Sequence, residues 1–336
     1  MSNKRTSKEF VPSQEQMELW PSVSGNTING QGETTLRRPI PIMWHDSELL
    51  AHGDVQEWFW AQGAKEPSLQ NKRTERGVVI SKPLAKISTQ KKNLTPTQCY
   101  AKITELAHSH GAPLVGVSRV KPEWIFEGYE FDYSWIIVLG IPMDHAEIST
   151  APEVTSAIEV VDKYTQGWVA AQPIANWIRE LGWRAEPRGG PDAGPVLLIP
   201  PALESGFGEL GKHGSIINRE YGSSFRLAAV FTDLPLEPTQ AQNFGAEDFC
   251  LNCNICVTEC PADAITHNKQ PVRGETRWYV DFDKCFPYFA ETYGCGICVA
   301  VCPWSKPGTG PRLSDKMLQR RARLNNSKQN NPKDLK

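Results

Sequence analysis

Eight of the nine cysteines lie between Cys250 and Cys302, and their spacing constrains this chain more than any other feature. They form two runs that each end in Cys-Pro: Cys250, Cys253, Cys256 and Cys260, then Cys285, Cys295, Cys298 and Cys302. Thiolates select iron-sulfur clusters or zinc over hard cations, and this spacing is typical of bacterial proteins with two 4Fe-4S clusters. Because the last cysteine of each run binds the other cluster in that pattern, we predict two ligand sets: Cys250, Cys253, Cys256 and Cys302, and Cys260, Cys285, Cys295 and Cys298.

Zinc and disulfides are the alternative uses of these cysteines. Zinc ribbons use two separated C-x2-C pairs, whereas each run here carries a further cysteine before proline. Disulfides form in oxidising compartments, but the polar start of the chain lacks the apolar core of an export signal. Arg37 and Arg38 precede a proline rather than a hydrophobic segment, so no twin-arginine signal is predicted. We therefore expect a cytoplasmic protein, with Cys99 as a buried structural thiol.

Composition agrees with a globular protein of one large or two moderate domains. The net charge is -2, with 40% hydrophobic and 22% charged residues, which favours neither nucleic acid nor an acidic membrane as a partner. No apolar run reaches the ~18 to 20 residues of a membrane span. A protein with two clusters needs only about a quarter of this length, so a separate domain precedes the cysteines. Because clusters transfer single electrons, we expect that domain to hold the reactive centre.

The remaining pattern predicts mixed α and β structure. A helix begins at Pro96 and stops near Gly111, where glycine ends the helical spacing. A longer helical region, interrupted near Gly167 and Pro173, spans residues 152–181. Strands are predicted at 114–117, 135–139, from 183 and at 226–232. Helices that alternate with strands indicate an α/β or α+β layer structure.

We divide the chain into four parts. Residues 1–94 are predicted to be an irregular extension that wraps the core, with Trp20, Trp44, Trp58 and Trp60 as anchors. Residues 95–243 form the catalytic domain, and residues 244–307 form the cluster domain. Residues 308–336 contain eight Lys or Arg and two acids, which predicts a basic, flexible tail.

Three passages together resemble the corrinoid-dependent reductive dehalogenases: GFGELGKHGSIINREYGSSFRLAAVFTDLPL, CLNCNICVTECPADAI and CFPYFAETYGCGICVAVCPWS. The resemblance extends from about Thr95 to Pro307, and the lack of an export signal is similar to the cytoplasmic, catabolic branch. It implies a nitroreductase-like cobalamin-binding domain followed by a ferredoxin-like domain with two 4Fe-4S clusters. It also implies base-off cobalamin without a histidine ligand. In agreement, Asp144 and His145 are adjacent and cannot form an Asp-x-His-x-x-Gly motif.

The same resemblance implies roles for individual residues. Tyr164 matches the proton donor, Lys212 the cation that lowers its pKa, and Arg273, with Arg277 close by, a group that binds a substrate oxyanion. The glycine passage would place backbone amides against the corrin, with His213 beside them; its glycines are Gly206, Gly208, Gly211 and Gly214. A structural turn is the alternative for these glycines. Other tyrosines that could donate the proton are Tyr129, Tyr133 and Tyr221.

The implied reaction is removal of halide from an organohalide, and a tyrosine-lysine-arginine site suits a halogenated phenol or hydroxybenzoate. No flavin or nicotinamide domain follows the clusters, so we expect a separate electron donor such as a ferredoxin or flavodoxin with its reductase. One alternative is an epoxyqueuosine reductase, in which Asp192 of the passage PDAGPV would donate the proton. Another is a non-catalytic electron carrier or corrinoid chaperone.

Overall fold

The N-terminal part of the chain is mainly helical. The computed structural model describes residues 10–191 and 194–330, with side chains described as far as residue 326. A short 3-10 helix at Ser47–Leu49 and five α-helices precede the first strand: α1 Gln14–Glu18, α2 Gly25–Ile28, α3 Gly53–Ala64, α4 Pro67–Ile80 and α5 Pro96–Ser109. Helix α5 begins as predicted, because the Thr95 side chain accepts a hydrogen bond from the backbone of Gln98 and Pro96 occupies the first turn.

Helices α3 and α4 correct the prediction that residues 1–94 are irregular. They are 12 and 14 residues long, although their glycines lower the intrinsic helix propensity. Tertiary contacts compensate: Val55 and Phe59 pack with Phe286 and Ala290 of the cluster domain. All four predicted tryptophan anchors pack around this group: Trp20, Trp44, Trp58 and Trp60.

A four-stranded antiparallel sheet forms the centre of the molecule. Its order is β1-β2-β6-β3, with β1 Leu114–Arg119, β2 Trp135–Pro142, β3 Ala185–Gly189 and β6 Phe225–Thr232. The intervening elements are helices α6 His145–Ile148, α7 Val154–Glu180 and α8 Ile199–Glu204, and a two-stranded sheet of β4 Glu209–Leu210 and β5 Ile216–Ile217. Antiparallel pairing makes this mixed fold α+β rather than a parallel α/β sheet.

Both faces of the sheet are covered, which explains the continuous apolar run of β2. Ile137 and Leu139 pack with α5 and α7 on one face. Ile136 and Val138 point the opposite way, because side chains alternate along a strand, and pack with Phe207 on the other face. The sheet therefore forms a fixed support for the elements that extend from its edges.

Helix α7 is continuous over 27 residues, so the predicted interruption near Gly167 and Pro173 is wrong. Gly167 lets the helix approach the sheet closely: a Cβ there would lie 2.9 Å from Cβ of Ala228 on β6. Burial of Ile174 and Ile178 against the sheet offsets the poor helix propensity of glycine and proline.

The cysteine-rich part contains short helices and one hairpin. Its elements are helices α9 Ala246–Asn252 and α10 Ile255–Thr258, strands β7 Gln270–Val272 and β8 Glu275–Arg277, and helices α11 Phe282–Glu291 and α12 Ile297–Ala300. Helix α13, Gly310–Asn330, then replaces the predicted flexible tail. Met317 on α13 is buried, and Arg321 pairs with Asp248 on α9, so nonlocal contacts order this basic segment. Within the described ranges, no helix combines the length and apolar character needed to cross a membrane.

Candidate functional site

The structure gathers the cysteines into two sets. In the first set, the Cys250 thiol interacts electrostatically with Cys253, Cys256 and Cys302. Cys250 lies in α9, Cys253 directly after it and Cys256 in α10, and the segment after α12 supplies Cys302. The local chain therefore curls around one point, and Cys302 closes the set from about fifty residues further along.

The second set lies beside the first. The Cys298 thiol interacts with Cys285, Cys295 and Cys260, and also with Cys256 of the first set. The last cysteine of each run thus lies with the set of the other run, Cys302 with the first and Cys260 with the second. The electrostatic interaction between Cys256 and Cys298 indicates that the two sets lie near each other.

The chemistry of these thiols fits iron-sulfur clusters. Burial raises the pKa of Cys250 and of Cys285 to about 12, and neighbouring thiols raise both pKa values further. Such thiols ionise only where a cation offsets the cost of burial, and the irons of a cluster supply that charge. Backbone N–H groups assist: those of Gly296 and Ile297 bond to the Cys295 sulfur and lower its pKa against the larger effect of burial.

A cavity of about 270 Å³ lies between helix α7 and the second cysteine set. Tyr164 from α7, Arg226 from β6 and Cys295 all line it. Its walls are largely aromatic and apolar, and the aromatic residues besides Tyr164 are Trp44, Phe59, Trp60, Phe289 and Tyr293. Helix α3 and the loop before it supply Trp44, Phe59 and Trp60, and α11 and the turn after it supply Phe289 and Tyr293. Four separate parts of the chain therefore build the cavity.

Tyr164 is held by a glycine and a cation. A Cβ at Gly190 would overlap Cδ1 and Cε1 of the Tyr164 ring, so only glycine fits behind it. On β6, Cζ of Arg226 lies 5.6 Å from the centre of the ring, and its Nε is buried without a hydrogen-bond partner in the described structure. Arg226 is a site residue that no motif indicated. The available signal was that it is the one charged residue in the largely buried strand FRLAAVFT.

Lys212 does not face Tyr164. It is almost fully buried, and its Nζ donates to Oδ1 of Asn254 at 2.8 Å and lies 5.0 Å from the ring centre of Trp278. Its charge lowers the pKa of Cys256, although burial leaves that pKa raised to about 11. The structure therefore assigns Lys212 to the surroundings of the first cysteine set, because the turn after β4 points toward α9 and α10.

Arg273 also lies away from the cavity. It occupies the β7–β8 turn with φ of 47°, and its Nη1 donates to the carbonyl of Asn29 at 2.9 Å. Burial, and then the charges of Arg277 and Arg37, lower its pKa to about 10. These contacts join the hairpin to the N-terminal segment, so the structure gives Arg273 a structural position and not one beside Tyr164.

The glycine passage forms close internal turns. Gly208 has φ of 144°, and a Cβ there would overlap the carbonyl of Ile217; a Cβ at Gly206 would lie 2.6 Å from the carbonyl of Gln240. Gly211 and Gly214 approach His213 and Val280 respectively. These close approaches are those of a structural turn, the alternative given for this passage, and contact of its glycines with a cofactor stays a prediction.

His213 belongs to the same turn. Its Nδ1 accepts a hydrogen bond from the backbone N–H of Ser215, and its Nε2 bonds to the hydroxyl of Ser223 at 3.1 Å. Burial lowers its pKa to about 4, so the ring is neutral near pH 7. These bonds tie the turn to the segment before β6.

A second cavity, of about 870 Å³, adjoins the first and shares Trp44, Trp60, Arg76 and Pro191 with it. Nε1 of Trp168 and Nε of Arg188 are buried donors on its lining that have no hydrogen-bond partner in the described structure. A corrin carries amide carbonyls around its rim that accept such bonds. The two cavities together therefore fit a cofactor of this chemistry better than the glycine passage does.

The other candidate proton donors are placed differently. Tyr129 and Tyr133 line the second cavity, and the Tyr129 hydroxyl bonds to Nδ1 of His45. Tyr221 packs against the apolar core on the far face of the sheet. Asp192 lies outside the described residues, although its neighbour Pro191 lines both cavities.

Comparison with known proteins agrees with these features. Residues 249–306 match the family described as a 4Fe-4S dicluster domain. A tetrachloroethene reductive dehalogenase of Desulfitobacterium hafniense is 35% identical over 213 residues, covering 59% of this chain and 38% of the relative. The corresponding enzyme of Sulfurospirillum multivorans is 33% identical over 180 residues, covering 51% and 35%. Over more than half of its length the chain is thus similar in sequence to named reductive dehalogenases. It spans less than half of the length of these relatives.

A solved structure described as the catabolic reductive dehalogenase NpRdhA superimposes with a TM-score of 0.70 at 22% identity, covering 89% of this chain and 46% of that one. At this identity the match shows the shared fold alone. Among curated relatives, an epoxyqueuosine reductase of Vibrio cholerae is 29% identical over 194 residues, covering 50% of this chain and 48% of the relative. The Desulfitobacterium hafniense reductive dehalogenase thus matches a longer part of this chain, at higher identity, than this epoxyqueuosine reductase does.

Proposed function

We propose that this chain is a reductive dehalogenase that uses cobalamin and two 4Fe-4S clusters to remove halide from a halogenated phenol or hydroxybenzoate. The observation that carries the proposal is one cavity lined by a tyrosine, a cation and a cluster cysteine: Tyr164, Arg226 and Cys295. This arrangement brings a proton donor and an electron source to the same small space. Homology to the reductive dehalogenases supports the same reaction.

The reaction breaks a carbon–halogen bond and forms a carbon–hydrogen bond, consuming two electrons and one proton and releasing halide. Cobalamin supplies the low-potential cobalt at which the carbon–halogen bond is reduced. We assign the proton to the Tyr164 hydroxyl. The Arg226 charge lies over its ring and stabilises the tyrosinate that remains after transfer. The aromatic walls limit water, which strengthens this electrostatic effect.

Electrons reach the cavity through the two cysteine sets in our proposal. A separate ferredoxin or flavodoxin, itself reduced by its reductase, delivers electrons to the first set. Clusters held by the two sets would relay these electrons, since Cys256 of the first set interacts electrostatically with Cys298 of the second and Cys295 lines the cavity. We place the protein in the cytoplasm, where thiols stay reduced for cluster assembly.

Residues 95–243 form the nitroreductase-like cobalamin-binding domain in this proposal. The cofactor would be bound base-off, without a histidine ligand, by residues that line the two adjoining cavities. Arg226, Arg188 and Trp168 would hold its amide groups, since each has a buried N–H donor on the cavity lining. This assignment replaces the contacts that the resemblance implies for the glycine passage.

The test is anaerobic reconstitution with iron, sulfide and cobalamin, followed by halide release from a bromophenol with a chemical reductant. Tyr164→Phe should lower the rate by ~10² to 10⁴, the range for loss of general acid catalysis, with cofactor content unchanged. Tyr221→Phe is the matched control, because this tyrosine packs outside the cavity, and its activity should be retained. Full activity of Tyr164→Phe would move the proton donor elsewhere.

Epoxyqueuosine reduction is the second candidate, because a named epoxyqueuosine reductase matches half of the chain. Asp192 would then donate the proton. An inactive Asp192→Asn variant together with a fully active Tyr164→Phe variant would favour this function, as would turnover of an epoxyqueuosine-containing transfer RNA without any halide release.

A further inference from the structure

Helix α13 carries an exposed basic stripe. Arg312, Lys316, Arg320 and Arg323 recur every three or four residues, which places them on one side of the helix. All four are exposed, and none forms an ion pair with another residue that the structure describes. Residues 316–326 contain no acid. Within the described part of the chain, the charge of the stripe is therefore not neutralised.

The acidic residues close to the stripe in sequence, and those of α9, have other partners. Three such acids each pair with a base: Asp248 with Arg321, Glu247 with Lys269, and Asp315 with Arg219. The whole chain carries a net charge of -2. The basic character is therefore a local feature of this surface and not a property of the protein as a whole.

The stripe is held beside the first cysteine set. Met317 of α13 is buried, and a Cβ at Gly245, which precedes α9, would lie 2.5 Å from the Met317 Cβ. Leu313 of α13 packs against the apolar cluster that contains Cys250 and Cys302. These contacts fix α13 against the helix that carries the first cysteine of the set.

Two exposed apolar side chains flank Cys253 of the same set. Leu251 is 56% exposed and Ile255 is 42% exposed, and each lies two residues from Cys253 in the sequence. Cys253 itself is only partly buried. Weak electron-transfer complexes use small interfaces, and interfaces in general have an apolar centre and a polar rim. The surface over the first set has this composition, with α13 as its basic rim.

We propose that α9 and α13 form the docking surface for a small acidic ferredoxin. The inference rests on the proposed function, which needs a separate electron donor, and it adds the place where that donor binds. A basic surface attracts an acidic partner, and the position over the first cysteine set suits a carrier of single electrons. Each reduced ferredoxin would donate one electron and leave oxidised, so two docking events match the two electrons that one carbon–halogen bond consumes.

The test uses the full chain, reconstituted anaerobically with iron, sulfide and cobalamin, and an acidic plant-type 2Fe-2S ferredoxin in its oxidised form. Surface plasmon resonance measures binding at low salt and at ~0.15 M salt, where exposed charges are largely screened. The triple variant Lys316→Gln, Arg320→Gln, Arg323→Gln should associate at least ~10-fold more slowly at low salt and lose most of the salt dependence. Leu251→Ala should instead raise the dissociation rate by up to ~10-fold, because apolar contact is lost.

The matched control removes three positive charges elsewhere. Lys82, Lys86 and Lys92 are exposed in the segment between α4 and α5, and their triple replacement by Gln should change the association rate by less than ~2-fold. Both triple variants should keep their iron content and their halide release with a chemical reductant, since neither set of residues lines the cavity of Tyr164. With limiting reduced ferredoxin as donor, only the α13 variant should release halide more slowly.

Failure of the unaltered protein to bind the ferredoxin, or equal effects of the two triple variants, would overturn the inference. Binding of a flavodoxin, a transfer-RNA stem-loop or a second copy of this chain to α13 in place of the ferredoxin would overturn it as well. Ferredoxin binding that depends on the stripe, without halide release under any reductant, would uphold the docking surface and reject the dehalogenase function. The two proposals thus fail separately.

Discussion

A single methyl group at Gly190 should disable the protein without unfolding it. The Cβ of Gly190→Ala would overlap Cδ1 and Cε1 of Tyr164 and would lie 3.0 Å from Cζ. Carbon atoms in contact stay ~3.5 to 4.0 Å apart, so the ring must retreat on the order of 1 Å. A misplacement of ~1 Å costs about 10²-fold in rate, because proton transfer depends on the position of the donor. We therefore expect a loss of about 10²-fold in kcat/KM for halide release.

Gly77→Ala is the matched control for this variant. Gly77 lies in α4, and a Cβ there would meet no atom within 4 Å. Its replacement should leave the rate unchanged and stabilise the helix by up to ~1 kcal/mol. Iron content and cobalamin absorbance should match those of the unaltered protein in both variants, which separates displacement of Tyr164 from loss of a cofactor.

The double variant provides the strictest check. Because both changes act through one hydroxyl, adding Gly190→Ala to Tyr164→Phe should slow the reaction no further. Additive losses would show that Gly190 acts through another group. Normal kcat/KM in Gly190→Ala, with both cofactors present, would refute the argument that this contact positions the proton donor.

Three further perturbations test other parts of the structure. Lys212→Met should shift the potential of the first cluster to more negative values, because a positive charge beside Cys256 is removed. A redox titration followed by electron paramagnetic resonance measures the shift. Unchanged potentials together with lost turnover would instead indicate that Lys212 acts in proton transfer. Cys302→Ser should damage the cluster of Cys250, Cys253 and Cys256, and spectroscopic loss of the other cluster alone would contradict our ligand sets. Met317→Ala should destabilise the fold by ~2 kcal/mol in chemical denaturation, whereas Leu318→Ala, at a side chain 40% exposed, should cost far less; equal effects would mean that α13 is not packed on the cysteine domain.

Several local elements could be predicted from the sequence because their signals are local. Helix α5 has its cap, its first-turn proline and its apolar spacing within a single segment. Strands β1, β2 and β6 are short apolar runs, and each forms at the predicted place. Helices α3, α4 and α13 escaped prediction because glycines or exposed charges mask their pattern, and contacts with distant segments stabilise them.

The candidate site likewise has features that the sequence predicts and features that only the tertiary structure shows. Cysteine spacing along about fifty residues predicts two ligand sets, because cluster ligands recur at characteristic intervals, and the thiols of each predicted set interact electrostatically in the structure. By itself the sequence thus predicted the cysteine grouping and determined the main strands and the resemblance to the dehalogenases.

Only the tertiary structure decided which cation accompanies Tyr164. The register that pairs Arg226 with Ile141 places this arginine at the end of the sheet facing α7, while the turn that carries Lys212 points toward the cysteines. The cavity also needs Arg73 from α4 and Cys295 from the cluster domain, which lie far apart in the chain. Such a site depends on strand register and on packing between distant segments, and neither is visible in the spacing of one motif.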